Sequence, residues 1–172
     1  VSPYYNKPTQ EGIYQHFKAI AQASLRPIIL YNVPGRTGSN MSAETTVRIA
    51  KDFANVVAIK EASGNLDQMG MILKHKPKDF MLISGDDTLT LPAIAIGGVG
   101  VISVIGNALP AETSALVHAA LKGEFATARR EHLRLLEIIN LLFAEGNPGG
   151  IKYVLKSLGI CGDHMRLPLV NI

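Results

Sequence analysis

The chain has one cysteine, no tryptophan, and only five tyrosines and five phenylalanines in 172 residues. A single Cys161 cannot close an internal disulfide, so a disulfide-stapled scaffold is excluded and a reducing compartment suits the chain. Charge is also sparse. Seventeen Lys and Arg against fourteen Asp and Glu leave a net charge of +3, with no basic patch interleaved with aromatics, so nucleic acid is not an expected partner. No apolar run reaches the roughly 18 residues needed to span a bilayer. The five histidines (His16, His75, His118, His132 and His164) show no metal-ligand spacing, and one Cys builds no thiolate cage, so a metal site is not expected. The chain opens Val-Ser-Pro-Tyr-Tyr without a basic leader or an initiator Met, which reads as a piece of a longer protein. With 47% apolar residues, the composition is that of a globular chain long enough to bury a core, and disorder is excluded.

Short apolar runs alternate with stretches of helical period. The runs Ile28–Val33, Val56–Ala62, Phe80–Ser84 and Val99–Ile105 have the length and two-sided apolarity of buried parallel strands. A further strand could end at Val1-Ser2. Between the runs, Thr9 is placed to cap a helix bearing Ile13, Phe17, Ile20 and Ala21, and Ser42 one bearing Val47, Ala50 and Phe53. Asn65 with Gln68 has capping-box spacing ahead of Met69, Ile72 and Leu73. After Ile105 the pattern becomes helical only. Pro110 opens one helix and Gly123 stops it, a longer one runs over about 124–144, and Asn147-Pro148 opens a third that Gly159 closes. Strand–helix alternation predicts an α/β fold with a parallel sheet, either an open doubly wound sheet or part of a (β/α)8 barrel.

In both architectures chemistry gathers at the carboxyl ends of the strands. Lys60 ends the run Val56–Ile59, where desolvation favours the neutral amine, and a neutral amine can condense with a ketone to a Schiff base. The alternative is a structural lysine paired with Glu61. Tyr31 holds the matching place on the preceding strand, as a proton-relaying phenol or a core aromatic. Arg36 lies in a loop shaped by Pro34, Gly35 and Gly38 and could grip a carboxylate, or be a solvated cation. Asp86 and Asp87 could suggest a divalent cation, but Asp87 is better read as the N-cap of a helix over 88–96. Arg129, Arg130 and Arg134 with Glu131 and Glu137 read as a solvated helix face.

Five segments resemble a known family in order and spacing: P-Y-Y-N-K-P at 3–8, L-Y-N-V-P-G-R-T-G at 30–38, I-K-E-A-S-G-N at 59–65, S-G-D-D at 84–87 and G-V-I-S-V at 100–104. They are similar to the dihydrodipicolinate synthases of the pyruvate-dependent class I aldolase superfamily. The resemblance implies a partial (β/α)8 TIM barrel, with residues 1–108 forming its second half (strands five to eight). Residues 109–172 then hold the last barrel helix and most of a helical C-terminal region. It implies that Lys60 forms an imine with pyruvate, that Tyr31 and Tyr5 relay protons, and that Tyr5 reaches into a neighbouring subunit's site. Arg36 would bind the carboxylate of aspartate semialdehyde, and Gly85 and Ile102 would line the pocket. The implied reaction is a lysine- and diaminopimelate-forming condensation in the cytoplasm, by a homo-oligomer built as a dimer of dimers, without metal or organic cofactor. The family's Gly-Thr-Thr-Gly-Glu motif is absent, and of its lysine-feedback site only Tyr4 has a match, so this polypeptide alone is not expected to catalyse the full reaction. Two alternatives stand beside it. One is a sister aldolase acting on N-acetylneuraminate or a keto-deoxy sugar acid, from which Arg36 discriminates, and the other is a non-catalytic member that binds a keto acid.

Overall fold

The computed structural model describes all of Val1–Ile172, in two compact units, Val1–Ile102 and Ser103–Ile172. The first unit has the order α1 (Gln10–Ala23), β1 (Ile28–Asn32), α2 (Pro34–Thr37), α3 (Ala43–Asp52), β2 (Val56–Glu61), α4 (Leu66–His75), β3 (Met81–Ser84) and α5 (Thr90–Ala95). Its three strands pair in parallel in the order β1-β2-β3, each joined to the next through a helical crossover. This is the α/β arrangement of a partial barrel sheet.

The helix starts follow local chemistry. The Thr9 hydroxyl accepts from Gly12 N–H at 3.2 Å, Ser42 from Thr45 N–H at 3.2 Å, and Asn65 from Gln68 N–H at 3.0 Å. Each meets one of the donors that a helix leaves unpaired at its first turn. On the helix-facing side of the sheet, Leu30, Ile59 and Leu82 stand in register and pack with Ile13, Phe17 and Ile72 in a buried cluster. The opposite face carries Ile29, Tyr31, Lys60 and Ile83, exposed or half-buried, because no second layer of the unit covers it. The expectation of strands buried on both sides therefore holds for the helix side and for Ala58, and fails at Ile29, Tyr31, Lys60 and Ile83.

Other expectations are corrected too. The run Val99–Ile105 does not form a strand. It joins β3 through one bridge, Ser84 to Val101, supported by Val99 N–H to Leu82 O and Ile102 N–H to Ser84 O, each at 2.9 Å. Gly100 at φ +154° breaks the regular pleat, and beyond it Ile105–Asn107 form a 3-10 turn. The chain start makes no strand either, although Ser2 N–H donates to Tyr31 O at 3.2 Å. Ile20 is 38% exposed, outside the buried stripe of Ile13, Phe17 and Ala21. Asp87 does not cap a helix over 88–96, since α5 begins at Thr90 behind Leu89. Asp86 organises this corner instead, its carboxylate accepting from Thr88 N–H at 2.9 Å and Thr88 O–H at 2.7 Å.

The second unit holds α6 (Pro110–Leu121), α7 (Phe125–Phe143) and α8 (Gly149–Ser157). Pro110 sits in the first turn of α6, and Gly123, at φ +76°, follows its last turn. Gly150 lets α8 lie against α7, because a Cβ there would overlap the Leu142 backbone. On α7 the exposed Arg130 and Arg134 pair at 3.1 and 3.4 Å with Glu131, whose side chain is largely covered, so the expected solvated face holds for the arginines and not for this carboxylate. No helix of the chain is long and apolar enough to cross a membrane.

Burial holds the imidazoles of His16 and His132 below their ordinary value, and the His132 Nδ1 atom is buried without a partner. Both therefore bind protons more weakly folded than unfolded. Their contribution to stability is complete above the unfolded value of about 6.5 and is lost as pH falls through the lower folded value. Urea unfolding between about pH 7.5 and 5 is expected to show a midpoint that declines with acidity. His132→Gln should flatten that slope, and an unchanged slope would remove His132 from the account.

Candidate active site

Strands β1, β2 and β3 end level with one another. The register pairs Tyr31 with Lys60 and Lys60 with Ile83, and it pairs Asn32 with Glu61 and Glu61 with Ser84. Side chains along a strand alternate faces, so these are two rows on opposite sides of the sheet. Lys60 and Tyr31 share the uncovered face, where the Lys60 ammonium nitrogen lies 4.3 Å from the centre of the Tyr31 ring. None of the ion pairs in the chain involves Lys60.

Glu61 does not pair with Lys60. It turns to the helix side, fully buried, and accepts from Asn32 Nδ2 at 3.0 and 3.1 Å, from Gln68 Nε2 at 3.0 Å and from Ser63 N–H at 2.7 Å. Gln68 thus spends its side chain on Glu61, Asn40 and the Met41 carbonyl rather than on closing a capping box with Asn65. Spacing alone does not reveal Asn40 and Gln68 as members of this cluster. The available signal is the pleat, since an acid that follows a lysine on a buried strand must face the other way and find donors there.

Gly85 follows β3 and donates its N–H to Glu61 O at 2.8 Å. A Cβ at this position would stand 2.7 Å from the Ala62 Cβ and 3.0 Å from the Cγ and Cε of Lys60. The missing side chain is therefore the space through which the lysine stem passes. Arg36 is exposed within α2, a single turn that starts on Pro34 and closes on Gly38 at φ +67°. Ile102 lies beside the end of β3, 43% exposed, with its N–H on Ser84 O. Tyr5 is an 86% exposed side chain, on a residue held at φ +68°. A recess of about 450 Å³ between α3 and α4, lined by Val47, Arg48, Met71 and His75 among others, includes none of these residues. No group of three or more His, Cys, Asp or Glu is arranged to hold a metal ion.

A lysine without a counter-ion, set against a phenol at the carboxyl end of parallel strands, suits covalent chemistry on a carbonyl. The profile of the Dihydrodipicolinate synthetase family matches residues 1–172. This chain belongs to that family. It is 59% identical over 168 residues to the 4-hydroxy-tetrahydrodipicolinate synthase of Phocaeicola vulgatus, covering 98% of this chain and 57% of the relative. To the enzyme of the same name from Parabacteroides distasonis it is 59% identical over 170 residues, covering 99% of this chain and 57% of the relative. The crystal structure of dihydrodipicolinate synthase from Aquifex aeolicus superposes with a TM-score of 0.97 at 45% identity, covering 99% of this chain and 58% of that one. The chain thus spans somewhat more than half the length of these dihydrodipicolinate synthetase relatives. The expected family and the partial (β/α)8 barrel are both borne out.

Gly85→Ala is expected to fold while displacing the Lys60 stem. Under the imine-forming role proposed below for Lys60, the rate of borohydride-reducible adduct formation with a small keto acid should drop by roughly ten- to a hundredfold, in line with the cost of small misplacements. An unchanged rate would show that the lysine reaches its working position by another route.

Proposed function

We propose that this chain carries the nucleophile and second-substrate face of a 4-hydroxy-tetrahydrodipicolinate synthase, which condenses pyruvate with aspartate 4-semialdehyde. The observation that supports it most directly is the unpaired Lys60 amine set 4.3 Å from the Tyr31 ring, with Gly85 leaving room for its stem. The amine attacks the ketone of pyruvate, a C–N bond forms, and water leaves to give an iminium. The iminium draws electrons from the neighbouring methyl group, which loses a proton to become an enamine carbon. That carbon attacks the aldehyde of the second substrate. The amino group of the second substrate then displaces Lys60 by transimination, closing the ring and restoring the lysine.

Each remaining residue has a place in this scheme. Tyr31 relays protons beside the imine, and a phenol suits that task because a carboxylate there would hold the lysine charged. Tyr5, exposed on this chain, completes the relay in a neighbouring subunit. This calls for a homo-oligomer, in keeping with a dimer of dimers. Arg36, on its turn, takes the carboxylate of the semialdehyde through paired N–H donors. Gly85 and Ile102 line the pocket. No external cofactor enters the reaction, and the setting is cytoplasmic lysine and diaminopimelate synthesis. Residues 1–108 form the barrel half and residues 109–172 the last barrel helix with the C-terminal helical region. The chain spans somewhat more than half the length of its relatives, and the activity is proposed for the full-length protein.

Borohydride trapping with pyruvate on the full-length protein, followed by peptide mapping, is expected to place a reduced pyruvyl group on Lys60. A folded sample without an adduct would return the chain to a keto-acid-binding role. Tyr31→Phe should lower kcat by about a hundredfold or more while pyruvate still binds, in the range expected for loss of a proton-transfer group. Arg36→Ala should raise the KM for the semialdehyde and spare that for pyruvate. Efficient cleavage of a sugar acid, without condensation of the semialdehyde, would favour a sister aldolase.

A further inference from the structure

The Glu61 carboxylate is buried, carries no cationic partner, and sits one residue from the proposed nucleophile. An unpaired charge in the interior costs stability that an apolar residue would not, so its contribution has to be sought in geometry. The polarity of its surroundings is set by backbone groups whose roles are unambiguous. Met41 N–H donates to Asn32 Oδ1 at 2.9 Å, which turns the Asn32 amide nitrogen toward Glu61. The Met41 carbonyl accepts from Gln68 Nε2 at 3.3 Å, so the nitrogen end of that amide also faces Glu61. Ser63 adds a backbone N–H. Every group presented to position 61 is a donor, and only an ionised carboxylate accepts at both of its oxygens. Glutamine, equal in size, would set its own NH2 against one of these donors.

The same bonds join four pieces of chain. Glu61 is the residue after Lys60, and Asn32 is the residue after Tyr31. Asn32 Oδ1 on Met41 N–H closes the base of the segment that carries Arg36, and Asn40 accepts from Asn32 Nδ2 at 2.8 Å within that base. Gln68 brings in the first turn of α4. We propose that Glu61 is the positioning residue of this site, its carboxylate holding the Lys60 strand end and the base of the Arg36 turn in one fixed geometry. The inference rests on the reading of Lys60 and Arg36 given above. Glu61 acts through its neighbours and touches no reacting atom.

The test uses the full-length protein, with pyruvate and aspartate semialdehyde as probes. Trapping of pyruvate on Lys60 of the unmodified protein comes first. Absence of the adduct there removes the underlying reading, and the positioning role falls with it. With the adduct present, Glu61→Gln is expected to remain folded by circular dichroism and to trap pyruvate ten- to a hundredfold more slowly. The KM for the semialdehyde should rise more than that for pyruvate. The double variant Asn32→Asp with Glu61→Gln exchanges donor and acceptor across the pair, and the exposed Asn40 amide can turn to match. It should recover at least part of the trapping rate, which a loss of general stability would not allow. Should Glu61→Gln fail to fold, Gln68→Leu on α4 carries the test, with an expected several-fold rise in the semialdehyde KM. Unmodified kinetics in the folded Glu61→Gln variant, or in Gln68→Leu, would overturn the proposal, as would a folded double variant without recovery.

Discussion

In the β1–β2 pair Tyr31 lies opposite Lys60 and Asn32 opposite Glu61, and the alternation of side chains along a strand sends the two rows to opposite faces. One row meets the uncovered face, where an amine and a phenol lie together. The other meets the helices, where a carboxylate and three carboxamides satisfy one another. A slip of one residue would exchange these environments, placing the ammonium among amide donors and the carboxylate against the phenol. The register is secured from within by Leu30, Ile59 and Leu82, which share the helix-facing core, and beyond the strand ends by Ala62 N–H on Asn32 O at 2.9 Å. The face that carries Lys60 and Tyr31 thus inherits its order from packing on the opposite side of the sheet.

The two rows also differ in how they manage charge. Glu61 is buried and meets its acceptor capacity with neutral donors, which spares it a cation and leaves Lys60 without a counter-ion on the other side. Had the pair formed an ion pair, the lysine nitrogen would have been engaged and held in its charged form. Separation by the sheet resolves the conflict between adjacent residues of opposite sign. Asp86 shows the same economy on a smaller scale. Its carboxylate is taken up by the N–H and hydroxyl of Thr88, so Asp86 serves the turn after β3.

Much of this is legible in the sequence. Thr9, Ser42 and Asn65 announced their helices because a cap depends on three or four consecutive residues, and Pro110 did so because its ring leaves few other places for it. The placement of Lys60 and Tyr31 side by side at strand ends is readable from short apolar runs, and that of Arg36 from its turn residues. What escaped depends on residues distant in the chain. Asn40 and Gln68 meet across 28 positions, and nothing local distinguishes them from surface amides. Val99–Ile105 misled because its apolarity matched a strand while Gly100 disrupted the backbone, and Ile20 misled because helical period does not say how wide the covered stripe is. Asp87 looked like a cap because its neighbour Asp86 does the turn-forming work one residue earlier.

The absent side chain at Gly85 bears on entropy as well as on space. A lysine on an open surface samples many rotamers, and ordering such a side chain costs up to about 2 kcal/mol. The stem of Lys60 runs past Ala62 and the Gly85 backbone, at separations that a single added carbon would close to 3.0 Å or less. A stem confined in this way loses its freedom when the chain folds, and the loss is charged to the stability of the fold. In the proposed reaction little is then left to lose when its nitrogen forms a bond, so the step that would join lysine to a carbonyl begins from an arrangement already ordered. A position with no side chain would thereby move an entropic cost from each turnover to the single event of folding.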